Sequence, residues 1–159
     1  MDECNSLKDL QALIGYPFRD EKLLEAALTR TMHLNDIHDK ESGFMNPLAT
    51  VGDAVLGTAV VCRLYEGEGD RKTSEYLTTD RSSRVNRNKT RAAAEKIGLD
   101  GYVKWGKGER KKEIWTEGDK AFDTAFEALI GAVFLDAQER DLNGIKEVGK
   151  MLNKLNFFE

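Results

Sequence analysis

Proline is nearly absent. Pro17 and Pro47 alone interrupt 159 residues, so little in the chain breaks up long helices. Cysteine is as rare: Cys4 and Cys62 form no metal-ligand spacing and no disulfide framework, which points to a reduced, cytoplasmic protein. Cys62, inside Ala59-Val60-Val61-Cys62, is expected to pack as a small hydrophobe. The only two histidines, His33 and His38, lack neighbouring ligands at helical spacing and read as surface residues. No uninterrupted apolar run reaches the ~18 to 20 residues that span a bilayer. The N-terminus, Met1-Asp2-Glu3-Cys4-Asn5, is acidic and has no signal-peptide stretch. Alternation at strand period, repeats and low-complexity tracts are missing too, which leaves an all-α fold.

What is present suits one domain: 40% of residues are hydrophobic and 33% charged, enough for a proper core. Leu7, Leu10, Leu13 and Ile14 share a helical face, and Gly15 stops that helix. Asp20 caps a second helix over 21–30. Residues 33–42 are polar and read as a loop. A long helix over 46–65, with Asn46 as N-cap and Pro47 in its first turn, is apolar almost all round and therefore central. Thr73 or Ser74 starts a helix towards Val85, and 87–97 continues to Gly98. A charged loop follows Gly106-Lys107-Gly108-Glu109, up to Thr116. A second all-round apolar helix covers 119–137, and an amphipathic one, 142–155, closes the chain.

Net charge is only −4, an argument against a nucleic-acid partner when taken alone. Its distribution reverses that argument. Residues 71–112 hold 13 basic and five acidic side chains, a net of +8, leaving −12 for the remainder. Such asymmetry implies a basic face, for which polyphosphate is the usual partner. A solvated helix face without a ligand has the same composition.

Two carboxylates stand where apolar residues belong. Asp53 lies in Thr50-Val51-Gly52-Asp53-Ala54-Val55-Leu56, and Glu127 in Thr124-Ala125-Phe126-Glu127-Ala128-Leu129-Ile130-Gly131. Neither has a basic residue three or four positions away, so neither can pair within its own helix. Small neighbours, Ala49, Gly52 and Gly57 near one and Ala128 and Gly131 near the other, would admit a second helix or a hydrated metal. One reading is a Mg²⁺ ion held between two core helices by one carboxylate from each, its sphere completed by water and phosphate oxygens. The other is that each acid pairs with a distant Lys or Arg. Both readings fit at this level.

The order of short motifs resembles the ribonuclease III family over nearly the whole chain. Leu13-Ile14-Gly15-Tyr16-Pro17-Phe18, followed by Leu23-Leu24-Glu25-Ala26-Ala27-Leu28-Thr29, is similar to the family's opening. Asn46-Pro47-Leu48-Ala49-Thr50-Val51-Gly52-Asp53-Ala54-Val55-Leu56 resembles its signature helix, shortened by one residue before Leu48. Arg81-Ser82-Ser83-Arg84-Val85-Asn86, Gly106-Lys107-Gly108-Glu109 and Glu127-Ala128-Leu129-Ile130-Gly131-Ala132-Val133-Phe134-Leu135-Asp136 match the later landmarks in order. Of the family's four carboxylates, Asp53 and Glu127 are retained, whereas Ala49 and Thr124 occupy the other two positions. That two-acid pattern resembles the Mini-III branch, whose members are short nucleases.

The resemblance implies a single ribonuclease III-like endonuclease domain over 1–159, without a double-stranded-RNA-binding domain. It implies a homodimer formed through the signature helices, with two sites flanking a groove for an A-form RNA duplex. Asp53 and Glu127 become the catalytic metal ligands for Mg²⁺, with Mn²⁺ expected to substitute. Asp123 is a candidate substitute ligand or a residue supporting the site from behind the ligands, and equally a solvated first-turn acid. Arg81, Arg84, Arg87, Lys89, Lys107, Arg110 and Lys111 become the candidate RNA contacts, meeting phosphates and 2′-hydroxyls rather than base edges. The Mini-III likeness suggests precursor ribosomal RNA as substrate. The alternative is an inactive ribonuclease III-like RNA-binding scaffold, favoured by Ala49 and Thr124 and opposed by the retained acids.

Overall fold

The two apolar segments form helices α4 (Met45–Glu66) and α8 (Ala121–Glu139), and they cross at a pair of glycines. In the computed structural model, which describes residues 6–67, 73–116 and 120–159, the remaining helices surround this crossing. They are α1 (Leu7–Ile14), α2 (Glu21–Ala27), α3 (Thr31–Asp36), α5 (Ser74–Arg84), α6 (Arg87–Lys96), α7 (Lys107–Lys112) and α9 (Gly144–Lys154). The fold is all-α. Among the described residues the single strand-like pairing is a parallel bridge between Thr29 and Lys104.

At the crossing, backbone meets backbone. A β-carbon on Gly52 would fall on the Glu127 carbonyl, 2.6 Å from its carbon and 3.0 Å from the Gly131 amide nitrogen. One on Gly131 would fall on the Leu48 carbonyl, 3.0 Å from its carbon. Phe122, Phe126, Leu129 and Ile130 of α8 are fully buried, with Leu56 and Val60 of α4, Leu24 of α2 and Leu152 of α9. Burial of such side chains contributes roughly 1.5–3 kcal/mol each before conformational entropy is counted. α8 touches α2, α4, α6 and α9, so it is the axis of the bundle.

Local sequence signals placed several ends correctly. Asp20 and Thr73 each accept a hydrogen bond from a first-turn amide, and Gly15 closes α1 at φ +72°; Ser6, Asn86 and Asn143, not singled out in the sequence, cap α1, α6 and α9 in the same way. Other expectations need correction. The polar stretch from His33 is not all loop: α3 takes it up to Asp36, because Leu34 is buried and the Asp36 carboxylate accepts from the Lys107 amide at 2.7 Å. The charged segment after Gly106 likewise forms a helix, α7, rather than a loop. Glu109 stabilises its start, accepting from the Gly106 amide at 3.0 Å and pairing with Arg30 at 2.6 Å. α4 begins at Met45, not after an Asn46 cap, because Met45 is fully buried and its amide donates to the Thr29 carbonyl at 3.0 Å. The N-terminal residue expected for α8, Asp119, lies outside the described residues.

α4 is long and apolar enough by length and composition to cross a membrane, and its packing against α8, α5 and α9 accounts for that composition. It is not covered all round, however. Leu48, Gly52, Val55, Leu56, Ala59 and Val60 are buried, whereas Thr50, Asp53, Ala54, Thr58 and Cys62 are exposed on the outer side. Cys62 therefore does not pack in the core as its apolar neighbours suggested.

Candidate active site

Gly52 is the residue that brings the two acids together. Because α4 lies directly on the Glu127 backbone at that point, the next residue, Asp53, emerges beside the Glu127 side chain. Both line a cavity of about 310 Å³, together with Thr124, Asp123 and Lys120 of the α8 segment and Asn86, Arg87 and Thr90 of α6. Asp53 is exposed at its edge, and Glu127 is half-buried. Burial, and then the nearby charges of Asp53 and Asp123, push the Glu127 carboxyl up to about 7. The acids thus repel one another, and a cation between them would relieve that repulsion.

Among the described residues no three His, Cys, Asp or Glu side chains form a ready-made metal cage. Two carboxylates are nonetheless a fitting donor set for Mg²⁺, which binds through one or two carboxylates plus water and substrate phosphate. Ala49, which is buried, and Thr124, which is half-buried, carry no carboxyl group, so neither supplies a third anion. Asp123 is 7% exposed, and its Oδ2 lies 3.0 Å from Arg87 Nε in an ion pair.

The candidate RNA contacts divide between two groups of helices. Arg81 is exposed and lines a larger, 720 Å³ groove between α4 and α5 that also reaches Asp53. Arg87 lines the carboxylate cavity itself. Arg84 and Lys89 are engaged by the chain: Arg84 pairs with Asp80 at 3.1 Å and donates to the Phe158 carbonyl, and Lys89 donates to that of Glu159. Lys107, Arg110 and Lys111 are exposed on α7, which packs against α3 rather than beside the acids. The sequence reading missed Lys120, Asn86 and Thr90 as cavity residues. Asn86 lay within a recognised motif, whereas no local signal marks the other two.

One buried acid is structural. Asp136 is 1% exposed and accepts from the Tyr16 hydroxyl at 2.6 Å, the Asp20 amide at 2.8 Å and the Arg19 amide at 3.2 Å. Burial alone would raise its pKa, yet these donors and Arg140 hold the carboxyl below the usual carboxylate range. It ties the α1–α2 turn to α8 and takes no part in the cavity.

Comparison with known proteins places the fold. The family model for the ribonuclease III domain matches residues 46–138, more than half of the chain. Ribonuclease 3 of Symbiobacterium thermophilum is 35% identical over 123 residues, covering 77% of this chain and 50% of that protein. Ribonuclease 3 of Listeria innocua is 32% identical over 154 residues, covering 96% and 63% respectively. The chain thus spans between half and two thirds of the length of these curated relatives. The nuclease domain of ribonuclease III from Campylobacter jejuni superposes with a TM-score of 0.74 at 26% identity, covering 95% of this chain and 93% of that one. A second structure of that domain, described for flexibility in a region involved in dimer formation, gives 0.77 at 25% identity, covering 94% and 95%.

Proposed function

The chain belongs to the ribonuclease III family, and on that premise we propose that it is a Mg²⁺-dependent endoribonuclease hydrolysing phosphodiester bonds of double-stranded RNA. The observation that carries the reading is the convergence of Asp53 and Glu127, from two crossing core helices, on one cavity that also holds Arg87 and Lys120. Asp53 and Glu127 would hold the ion, and Mn²⁺ would serve in its place. When bound, Mg²⁺ supplies an activated water and neutralises charge on the phosphate. Arg87 and Lys120 attract and orient phosphate oxygens from the cavity wall. Arg81, in the adjoining groove, extends the contact along the backbone, while the exposed α7 cations Lys107, Arg110 and Lys111 form a separate basic surface for the same polyanion. The two-acid pattern shared with Mini-III supports a role in maturing precursor ribosomal RNA.

Two assays test this reading. A labelled RNA duplex is expected to be cleaved with Mg²⁺ and left intact with EDTA. Ala49 and Thr124 support a second reading, an RNA-binding scaffold without chemistry, which predicts duplex binding but no cleavage under either condition. We further propose a homodimer whose interface contains the first part of α4, where Asn46, Pro47 and Thr50 are exposed. Light scattering at micromolar concentration is expected to return a dimeric mass, and a monomeric mass would refute the dimer.

A further inference from the structure

Asp123 sits four residues before Glu127, on the same side of α8, which makes it look like a third metal ligand. Its surroundings say otherwise. The carboxylate is 7% exposed and paired with the Arg87 guanidinium at 3.0 Å, whereas the Arg87 side chain is half exposed. Arg87 is the first residue of α6, and the backbone it leaves from is fixed by Asn86, whose side chain accepts from the Lys89 amide at 3.0 Å. Among the described residues the Arg87 side chain has this ion pair and no side-chain hydrogen bond. The Asp123 carboxylate therefore meets the guanidinium on its Nε side as an ion pair, and the half-exposed Arg87 lines the cavity. Three carboxylates line that cavity against two cations, Arg87 and Lys120, so an incoming phosphodiester meets net negative charge unless a cation is fixed in its path.

We propose that Asp123 is a positioning residue for Arg87 rather than a metal ligand, and that the pair fixes a phosphate-anchoring guanidinium at the wall of the Asp53–Glu127 cavity. This rests on the nuclease reading above, and it adds a role to each of the two residues. A guanidinium held near a fixed carboxylate by charge still offers a planar fork of donors suited to two phosphate oxygens. A lysine would keep the charge and lose the fork.

The test compares the full-length protein with Arg87→Ala, Arg87→Lys, Asp123→Asn and the double variant Arg87→Ala/Asp123→Asn. Duplex-RNA affinity is measured in EDTA, cleavage kinetics in Mg²⁺, and the melting temperature with and without Mg²⁺. Arg87→Ala and Asp123→Asn are each expected to weaken binding about tenfold, with the double variant no weaker than either, because both remove one contact. Arg87→Lys recovers part of the loss, KM rises more than kcat falls, and the Mg²⁺-induced rise in melting temperature survives in Asp123→Asn. Loss of that rise in Asp123→Asn, with normal RNA affinity, would make Asp123 a ligand and overturn the proposal. So would Arg87→Ala binding as tightly as wild type, or lower melting temperatures without any change in affinity, the mark of a purely structural pair. If Asp123→Asn fails to fold, the two Arg87 variants decide the matter through affinity and the KM and kcat split. Wild type failing to bind duplex at all removes the nuclease reading as well, whereas tight wild-type binding with an unaffected Arg87→Ala removes this proposal alone.

Discussion

Asp53→Asn and Glu127→Gln are each expected to lower duplex cleavage by at least ~1,000-fold, equivalent to about 4 kcal/mol of transition-state stabilisation, while leaving RNA binding in EDTA intact. Each change keeps the side-chain volume and removes one of the two carboxylates proposed to hold the ion, in a cavity lined by three. The stability response separates the proposed site from a structural role. With its carboxyl raised to about 7 in the folded protein, Glu127 carries no penalty at pH 4. There it is protonated in both states. As pH rises from the ordinary glutamate range through 7, the unfolded chain ionises more readily than the folded one, and stability is lost. Because the side chain is half-exposed, solvent reduces this to roughly 1–2 kcal/mol. Glu127→Gln is therefore expected to melt several degrees higher than wild type at pH 8 without metal, and at the same temperature at pH 4. Added Mg²⁺ is expected to raise the wild-type melting temperature at pH 8 and to leave both variants unmoved. If the acids instead neutralised buried cations, each variant would lose about 3 kcal/mol or more. Full cleavage by either variant would remove its residue from the metal site.

Gly52→Ala and Gly131→Ala are expected to cost on the order of 3 kcal/mol or more each, lowering the melting temperature by roughly 10 °C. The obstacle in both cases is a backbone carbonyl of the opposite helix, that of Glu127 or of Leu48, which cannot rotate out of the way. A methyl group can be admitted only by separating α4 from α8, and that loosens the apolar contacts along both. The same separation moves Asp53 away from Glu127, so cleavage is expected to fall even in the fraction that stays folded. Gly57→Ala is the control on the same helix. Its β-carbon would meet only the end of the Arg81 side chain, at 3.5 Å, and alanine favours the helix, so the change is expected within ~1 kcal/mol of wild type. Equal losses at positions 52 and 57 would mean that the helices do not touch through Gly52.

The all-α class, the two central helices, the Asp20 cap, the Gly15 stop and the pair of misplaced acids were all legible in the sequence. Each rests on neighbours within a turn or two: apolar spacing sets a helical face, a short polar side chain caps the next amides, and an acid without a basic residue at i±3 or i±4 announces itself. The order of family motifs was likewise linear information. Tertiary structure decided the rest. Asp136, the most deeply buried acid among the described residues, was legible only as the end of a family motif, because its partners Tyr16 and Asp20 lie 120 and 116 residues away. α3 and α7 are six-residue helices, too short to hold by propensity alone, and they form because they pack against each other and share the Asp36–Lys107 contact and the neighbouring Arg30–Glu109 pair. Composition made α4 central but could not say which side α8 would cover, so Cys62 was expected inside and lies outside. Within the +8 segment charge is additive along the chain, but direction is not. Only the fold turned Arg84 and Lys89 onto backbone carbonyls and set Arg87 against Asp123 at the carboxylate cavity, because a long cationic side chain points wherever a distant element supplies an acceptor.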